Sequence, residues 1–220
     1  MSAQNEIPHA TAIDPHDAAP GSLVRIARPK RGRGNRRAEI LQTLAKLLED
    51  PACDRITTAL IARRLELSEA ALYRSFPSKA AMFSGLIDFI ESSLLDLFAR
   101  IRSDASLEPR ARIQVMVNVM LEFADKNPGL CRVMTGQVLL KEDPRLTTRI
   151  AHLYDVLEAQ IRQTYRDAML AGAFPADFNA SARANLVMTW VLGRWLRFVL
   201  TGFQAHPSGV GPAMTAPFLS

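Results

Sequence analysis

The sequence predicts an all-α fold: a small three-helix head followed by a larger helical body. Three observations carry that expectation. Apolar residues recur at spacings of three and four along most of the chain, with no convincing strand alternation or internal repeat. Helix starts and stops crowd together before residue 80, each marked by a hydroxyl or a proline. Apolar residues make up 48% of the 220 and aromatics only 7%, which fits a soluble helical protein.

The first 24 residues are rich in Ala, Pro, Asp and His without periodicity and are expected to be disordered. Arg25, Arg28, Lys30, Arg31, Arg33, Arg36 and Arg37 follow with no acid among them. Residues 1–37 therefore hold +4 of the formal net charge of +5. A solvated tail is one reading of that run. Placed directly before the segment described next, it suits phosphates or a minor groove, with Arg31 and Arg33 as contacts.

Ile40, Leu41, Leu44, Leu47 and Leu48 make a first helical stripe that stops near Asp50-Pro51, where proline forbids continuation. Thr57 or Thr58 can cap a second helix and Ser68 a third, across a tight polar turn around Glu66, Leu67 and Ser68. Pro77 ends the third helix, and Ser78 can cap the fourth. On the third helix Leu72 and Phe76 point inward, while Glu69, Ala70, Tyr73 and Arg74 point out. This is a helix-turn-helix, which offers a compact polar helix to the major groove of DNA.

Within it, Ser68, Glu69, Ala70, Tyr73, Arg74 and Ser75 occupy the start and outer face of the third helix; residues near a helix start reach base edges, and Ala70 can pack on a thymine methyl. Tyr73, Arg74 and Lys79 suit phosphates, as do the hydroxyls of Thr57 and Thr58. The bland reading leaves Tyr73 and Arg74 as exposed polar residues.

The fourth helix, residues 80–102, carries the stripe Phe83, Leu86, Ile90, Leu94, Leu97 and Ile101. A fifth runs from Pro109 to Asp125, and Asn127-Pro128 offers a cap followed by a first-turn proline for the next. Pro144 opens a long helix through Ile150, Leu153, Tyr154, Leu157 and Ile161, ending near Gly172. The last runs from Asn179 to Phe203, before a tail with Gly209, Gly211, Pro212 and Pro217. The expected division is a basic tail at 1–34, the DNA-binding head at 35–79 and a dimerisation and partner-binding body at 80–220.

Three body helices carry apolar residues beyond a single core face. The last holds Leu186, Val187, Trp190, Val191, Trp195, Phe198 and Val199. A second copy of the chain would cover the excess, with Trp190, Arg194, Trp195 and Phe198 at the contact; a central helix in a monomer is the alternative. On the fourth helix Phe89 falls about 110° from the core stripe. On the fifth, Val115, Val119, Glu122 and Lys126 lie opposite Ile113, Val117, Met120, Leu121 and Ala124. That pattern fits a protein-docking surface or a central helix wrapped on all sides.

Catalysis finds little support. His9 and His16 lie in the tail, His152 and His206 lack carboxylate or cysteine neighbours at ligand spacing, and no phosphate-binding glycine loop or nucleophile elbow occurs. Cys53 and Cys131 are the only cysteines, so a reducing cytoplasm is expected rather than a disulfide. Arg194 and Arg197 interrupt the most apolar stretch, so no membrane span is expected. No cofactor or metal is called for.

From residue 39 to 79, and through the helical body, the chain resembles the TetR family of dimeric DNA-binding regulators. The closer resemblance is to its nucleoid occlusion factors. It rests on Asn35-Arg36-Arg37-Ala38-Glu39-Ile40-Leu41-Gln42, Ile56-Thr57-Thr58, Ser68-Glu69-Ala70-Ala71-Leu72-Tyr73-Arg74 and Phe76-Pro77-Ser78-Lys79. Leu86-Ile87-Asp88-Phe89-Ile90-Glu91 and Asn127-Pro128-Gly129-Leu130 extend it into the body. The resemblance implies a homodimer that binds specific chromosomal sites and, while bound, engages the division protein FtsZ and disrupts its polymers. The matching FtsZ-facing positions are Phe89, Val119, Lys126 and Asn127. Leu97, Glu122, Ser75 and Glu66 depart from the relatives' arginine, glycine, histidine and turn glycine. The rival implied by the wider family is a repressor released from its operator by a small inducer.

Overall fold

The computed structural model describes residues 36–53, 56–139, 142–209 and 211–219. The basic run up to residue 35, including Arg31 and Arg33, lies outside the described residues.

In the head, α1 (Arg36–Leu47), α2 (Thr58–Arg64) and α3 (Glu69–Ser75) enclose Ile40, Leu44, Leu48, Ile56, Ile61, Leu72 and Phe76. Local chemistry sets each boundary as expected. Thr57 Oγ1 accepts from the Leu60 N–H at 3.2 Å, Ser68 Oγ from Ala71 at 3.2 Å and Ser78 Oγ from Ala81 at 3.1 Å. The turn between α2 and α3 closes by Glu66 N–H to Arg63 O at 3.2 Å and Leu67 N–H to Ala62 O at 2.9 Å. Glu66 takes the left-handed conformation there, at φ 54°.

The body comprises α4 (Lys79–Ser103), α5 (Pro109–Lys126), α6 (Pro128–Met134), α7 (Pro144–Leu170) and α8 (Ala180–Leu200). Along α4 the core stripe includes Phe98, which is fully buried, while the predicted Leu97 is only half-buried. The step from Leu94 is four residues rather than three, because 3.6 residues per turn carries the stripe round the helix.

α5 is the central helix. It packs against α4, α6, α7 and α8 and buries Ile113, Met116, Val117, Val119, Met120, Leu121, Phe123 and Ala124. Trp195 of α8 donates its indole N–H to Met120 O at 3.1 Å, and Thr164 of α7 lies 3.2 Å from Met116 Sδ.

Head and body meet through α4 and α6, both of which pack on α1. Pro128 holds the expected first position, but Asn127 does not cap α6 with its side chain. Its Nδ2 donates instead to Phe123 O at 2.8 Å, satisfying a carbonyl in the last turn of α5. Gly129 permits close approach: a Cβ there would stand 2.1 Å from Ala45 O on α1. Arg132, 7% exposed, donates to Leu48 O at 3.3 Å, Asp50 O at 3.0 Å and Cys53 O at 3.3 Å. A buried cation thereby meets the carbonyl end of α1, where the helix dipole favours positive charge.

Beyond α8 the chain folds back, which the sequence did not signal. Asp125 of α5 takes the Ser208 N–H at 2.9 Å and lies 3.1 Å from His206 Nδ1. A short helix, α9 (Pro212–Thr215), and a 3-10 turn, Ala216–Phe218, follow. Phe218 is buried with its ring 5.2 Å from Trp190, and its carbonyl accepts from Tyr165 OH at 2.8 Å.

Candidate nucleic-acid interface and partner surfaces

The start of α2 and the outer face of α3 form one polar surface. Thr58 donates to Glu69 Oε2 at 2.7 Å, and Tyr73 OH reaches Thr58 Oγ1 at 3.4 Å. These bonds tie the two helices together on the side away from Leu72 and Phe76. Ser68, Glu69, Ala70, Tyr73 and Arg74 are exposed, and Ser75 is half-buried. The hydroxyls of Thr57 and Ser68 accept backbone N–H groups, so each still has its O–H to donate.

Two expected cations behave differently. Arg37, counted with the basic run, lies with its guanidinium 4.0 Å above the Phe76 ring and donates to Ser75 O at 2.6 Å. It fastens α1 to the end of α3. The phenylalanine that closes the head core and the arginine two residues into α1 were the signal for it. Lys79, assigned to phosphate, donates to Glu142 ahead of α7.

The second predicted surface contracts. Phe89 is half-buried, packed against the core at its edge, and Lys126 is half-exposed, paired with Glu122 at 2.8 Å. Val119 and Asn127 are only 7% and 6% exposed. Val119 is enclosed because α5 is wrapped by four helices, and Asn127 because its amide serves the α5 terminus. Of the four expected positions, what a partner can touch is Phe89 and Lys126; Glu122, paired with Lys126, and Val115 and Leu97 elsewhere on the two helices are also half-buried.

The residues expected at a dimer contact on α8 turn mostly into their own chain. Trp195 and Phe198 are fully buried in their own chain, and Trp190 is half-buried against Phe218. Arg194 donates to His206 O at 2.8 Å and Pro207 O at 3.3 Å. Large aromatic side chains supply most apolar area, so they fill the interior. The opposite face shows Ala182, Leu186, Thr189, Gly193, Leu196 and Leu200, all exposed, at alternating spacings of four and three. Leu186, Leu196 and Leu200 are 50%, 45% and 66% exposed, an apolar seam of the kind that packs helix against helix.

A cleft of about 500 Å³ opens between α5 and the tail, lined by Gln114, Asn118, Glu122, Ser208, Thr215 and Leu219 among others. Among the described residues no cluster of His, Cys, Asp and Glu could hold a metal ion, and no helix is long and apolar enough to cross a membrane.

Comparison with known proteins matches both parts of this arrangement. The family described as bacterial regulatory proteins, tetR family, matches residues 40–86, and the SlmA-like tetracyclin repressor-like C-terminal domain matches residues 108–212. The nucleoid occlusion factor SlmA of Marinomonas sp. (strain MWYL1) is 41% identical over 180 residues, 82% of this chain and 91% of its own length. That of Shewanella sp. (strain W3-18-1) is 43% identical over 174 residues, 79% and 88% of the two lengths. Among solved structures, a TetR transcription regulator from Haloarcula marismortui superposes with a TM-score of 0.68 at 17% identity, covering 84% of this chain and 97% of that one. The fatty acid degradation regulator FadR from Bacillus halodurans does so with a TM-score of 0.67 at 13% identity, covering 87% and 95%. These distant structures share the fold.

Proposed function

This chain belongs to the SlmA nucleoid occlusion factors within the TetR family, and we propose that it is a DNA-activated antagonist of FtsZ assembly. It binds chromosomal sites as a homodimer and, while bound, blocks assembly of the division septum over DNA. Its role is regulatory and non-catalytic, and its place is with the chromosome. The observation that carries this reading is that the likeness to SlmA extends over about four-fifths of the chain, body included. A shared head alone would support only DNA binding.

The geometry supports a division of labour. The polar face of α2 and α3 meets DNA, with Ser68, Glu69 and Ala70 toward base edges, Thr57, Thr58, Tyr73, Arg74 and Lys79 toward phosphates, and Ser75 at the end of the same face. Phe89 and Lys126 face the division protein, while Val119 and Asn127 stay buried. The α8 seam from Ala182 to Leu200 joins the two copies, in place of the aromatic residues first assigned to that contact.

The test is sedimentation of polymerising FtsZ with the purified protein and a duplex recovered by selection from a random pool. DNA-loaded protein should lower polymer mass and shorten filaments. Phe89→Ala should abolish most of that effect while leaving DNA affinity within about twofold, a margin of about 0.4 kcal/mol. Unchanged polymer with wild-type protein on DNA would favour a plain transcriptional repressor.

A further inference from the structure

We propose that Glu142 competes with DNA phosphate for the ammonium of Lys79, so that docking on DNA opens an ion pair between the start of α4 and the segment that leads into α7. The inference rests on the reading of Lys79 as a phosphate contact.

Lys79 opens α4, two residues after the proline that ends the recognition helix. Glu142 stands immediately before Asp143, the residue that caps α7. The Lys79 side chain is 23% exposed and that of Glu142 19%, so both ends of the pair are largely out of water. The ammonium also lies 5.7 Å from the centre of the Phe83 ring, which holds it on the side of the body. Nearby cations have other commitments. Arg145 forks onto Asp143 at 3.0 and 2.5 Å, and Arg149 donates to Ser84 at 2.7 Å and Asp88 at 2.5 Å. Arg74, the other described cation assigned to phosphate on the recognition helix, has no ion pair among the described residues.

One ammonium cannot serve both anions cheaply. A phosphate drawn to Lys79 while Glu142 still held it would stand two negative charges a few ångströms apart, where little water screens them. The lysine therefore leaves Glu142 for DNA. Glu142 lowers DNA affinity by what it costs to open the pair, and by linkage DNA loading loosens the segment that starts α7. Glu142 is a positioning residue: it touches no DNA and acts through Lys79.

A double-mutant cycle tests this with the full chain and the selected duplex, by fluorescence anisotropy at several salt concentrations. Glu142→Gln should bind about 2- to 5-fold more tightly, the range expected for opening one ion pair of this kind. Lys79→Gln should bind more weakly, and the double variant should match Lys79→Gln alone. Tightening by Glu142→Gln that persists undiminished in the Lys79→Gln background would overturn the proposal, because it would then be a general charge effect. So would unchanged or weaker binding of Glu142→Gln in the presence of Lys79. Undiminished affinity of Lys79→Gln would instead remove the phosphate contact on which the inference rests. Thermal melts accompany each variant, and Glu142→Ala replaces Glu142→Gln if the latter fails to fold.

Discussion

Glu66 sits where helix-ending turns usually place glycine. Its φ of 54° is left-handed, and the two bonds that close the turn fix it there. α7 ends in the same pattern, but with Gly172, at φ 75°. The strain at Glu66 is about 1–2 kcal/mol, and glycine would return about 0.4–1 kcal/mol of it through the greater freedom of the unfolded chain. Glu66→Gly should thus stabilise the protein by about 0.5–1 kcal/mol, seen as a higher urea midpoint. A lower midpoint would mean that Glu66 has a stabilising partner in the folded state. At Gly129 the direction reverses. Any Cβ would meet a backbone oxygen at 2.1 Å, and backbone cannot step aside as a side chain can. Gly129→Ala should cost about 3 kcal/mol, at the upper end for overpacking, and loosen the head from the body. An unchanged melting curve would contradict the tight α1–α6 contact.

Between helices, the legible parts are those whose causes lie close together in sequence. Thr57, Ser68, Pro77 and Ser78 set the head, and each acts within three residues of itself. The period of three and four likewise shows that α4, α5 and α8 are helices. It does not show which face of a helix apolar all round meets its own chain. That choice depends on the size of distant neighbours: Trp195 reaches Met120 O on α5, and Trp190 meets Phe218. The fold-back tail was invisible for the same reason, since Tyr165 and Trp190 hold it from far away in sequence. α8 thus offers a sharp contrast. Leu196→Arg, in the exposed seam, should leave the chain folded but monomeric by analytical ultracentrifugation, with DNA affinity down at least about tenfold as the paired heads separate. Trp195→Ala should instead cost about 3–5 kcal/mol of stability at any protein concentration, as a cavity in the core does. A dimeric Leu196→Arg protein would move the seam elsewhere.

Over the whole molecule, charge is divided as the functions are. Residues 1–37 hold +4 of the formal +5, so the rest of the chain is nearly neutral. Attraction to phosphate therefore acts at the end of the chain next to the recognition helix. A nearly neutral body can meet a protein partner while the head stays on DNA, because salt that weakens one contact need not weaken the other equally. Replacing Arg28, Lys30, Arg31 and Arg33 with glutamine removes eight charges from a dimer. If all eight contact phosphate, the slope of log affinity against log salt should flatten by up to about 7 units. Affinity should fall for every duplex sequence alike, since phosphate contacts carry no base information. With enough duplex added to saturate the variant, its effect on FtsZ polymer should match the wild type. An unchanged salt slope would show that the basic run stays off DNA, leaving the described head to supply the whole electrostatic contact. A flattened slope with lost FtsZ antagonism at saturation would mean that the run also serves the partner surface, and that the two tasks are not separable along the chain.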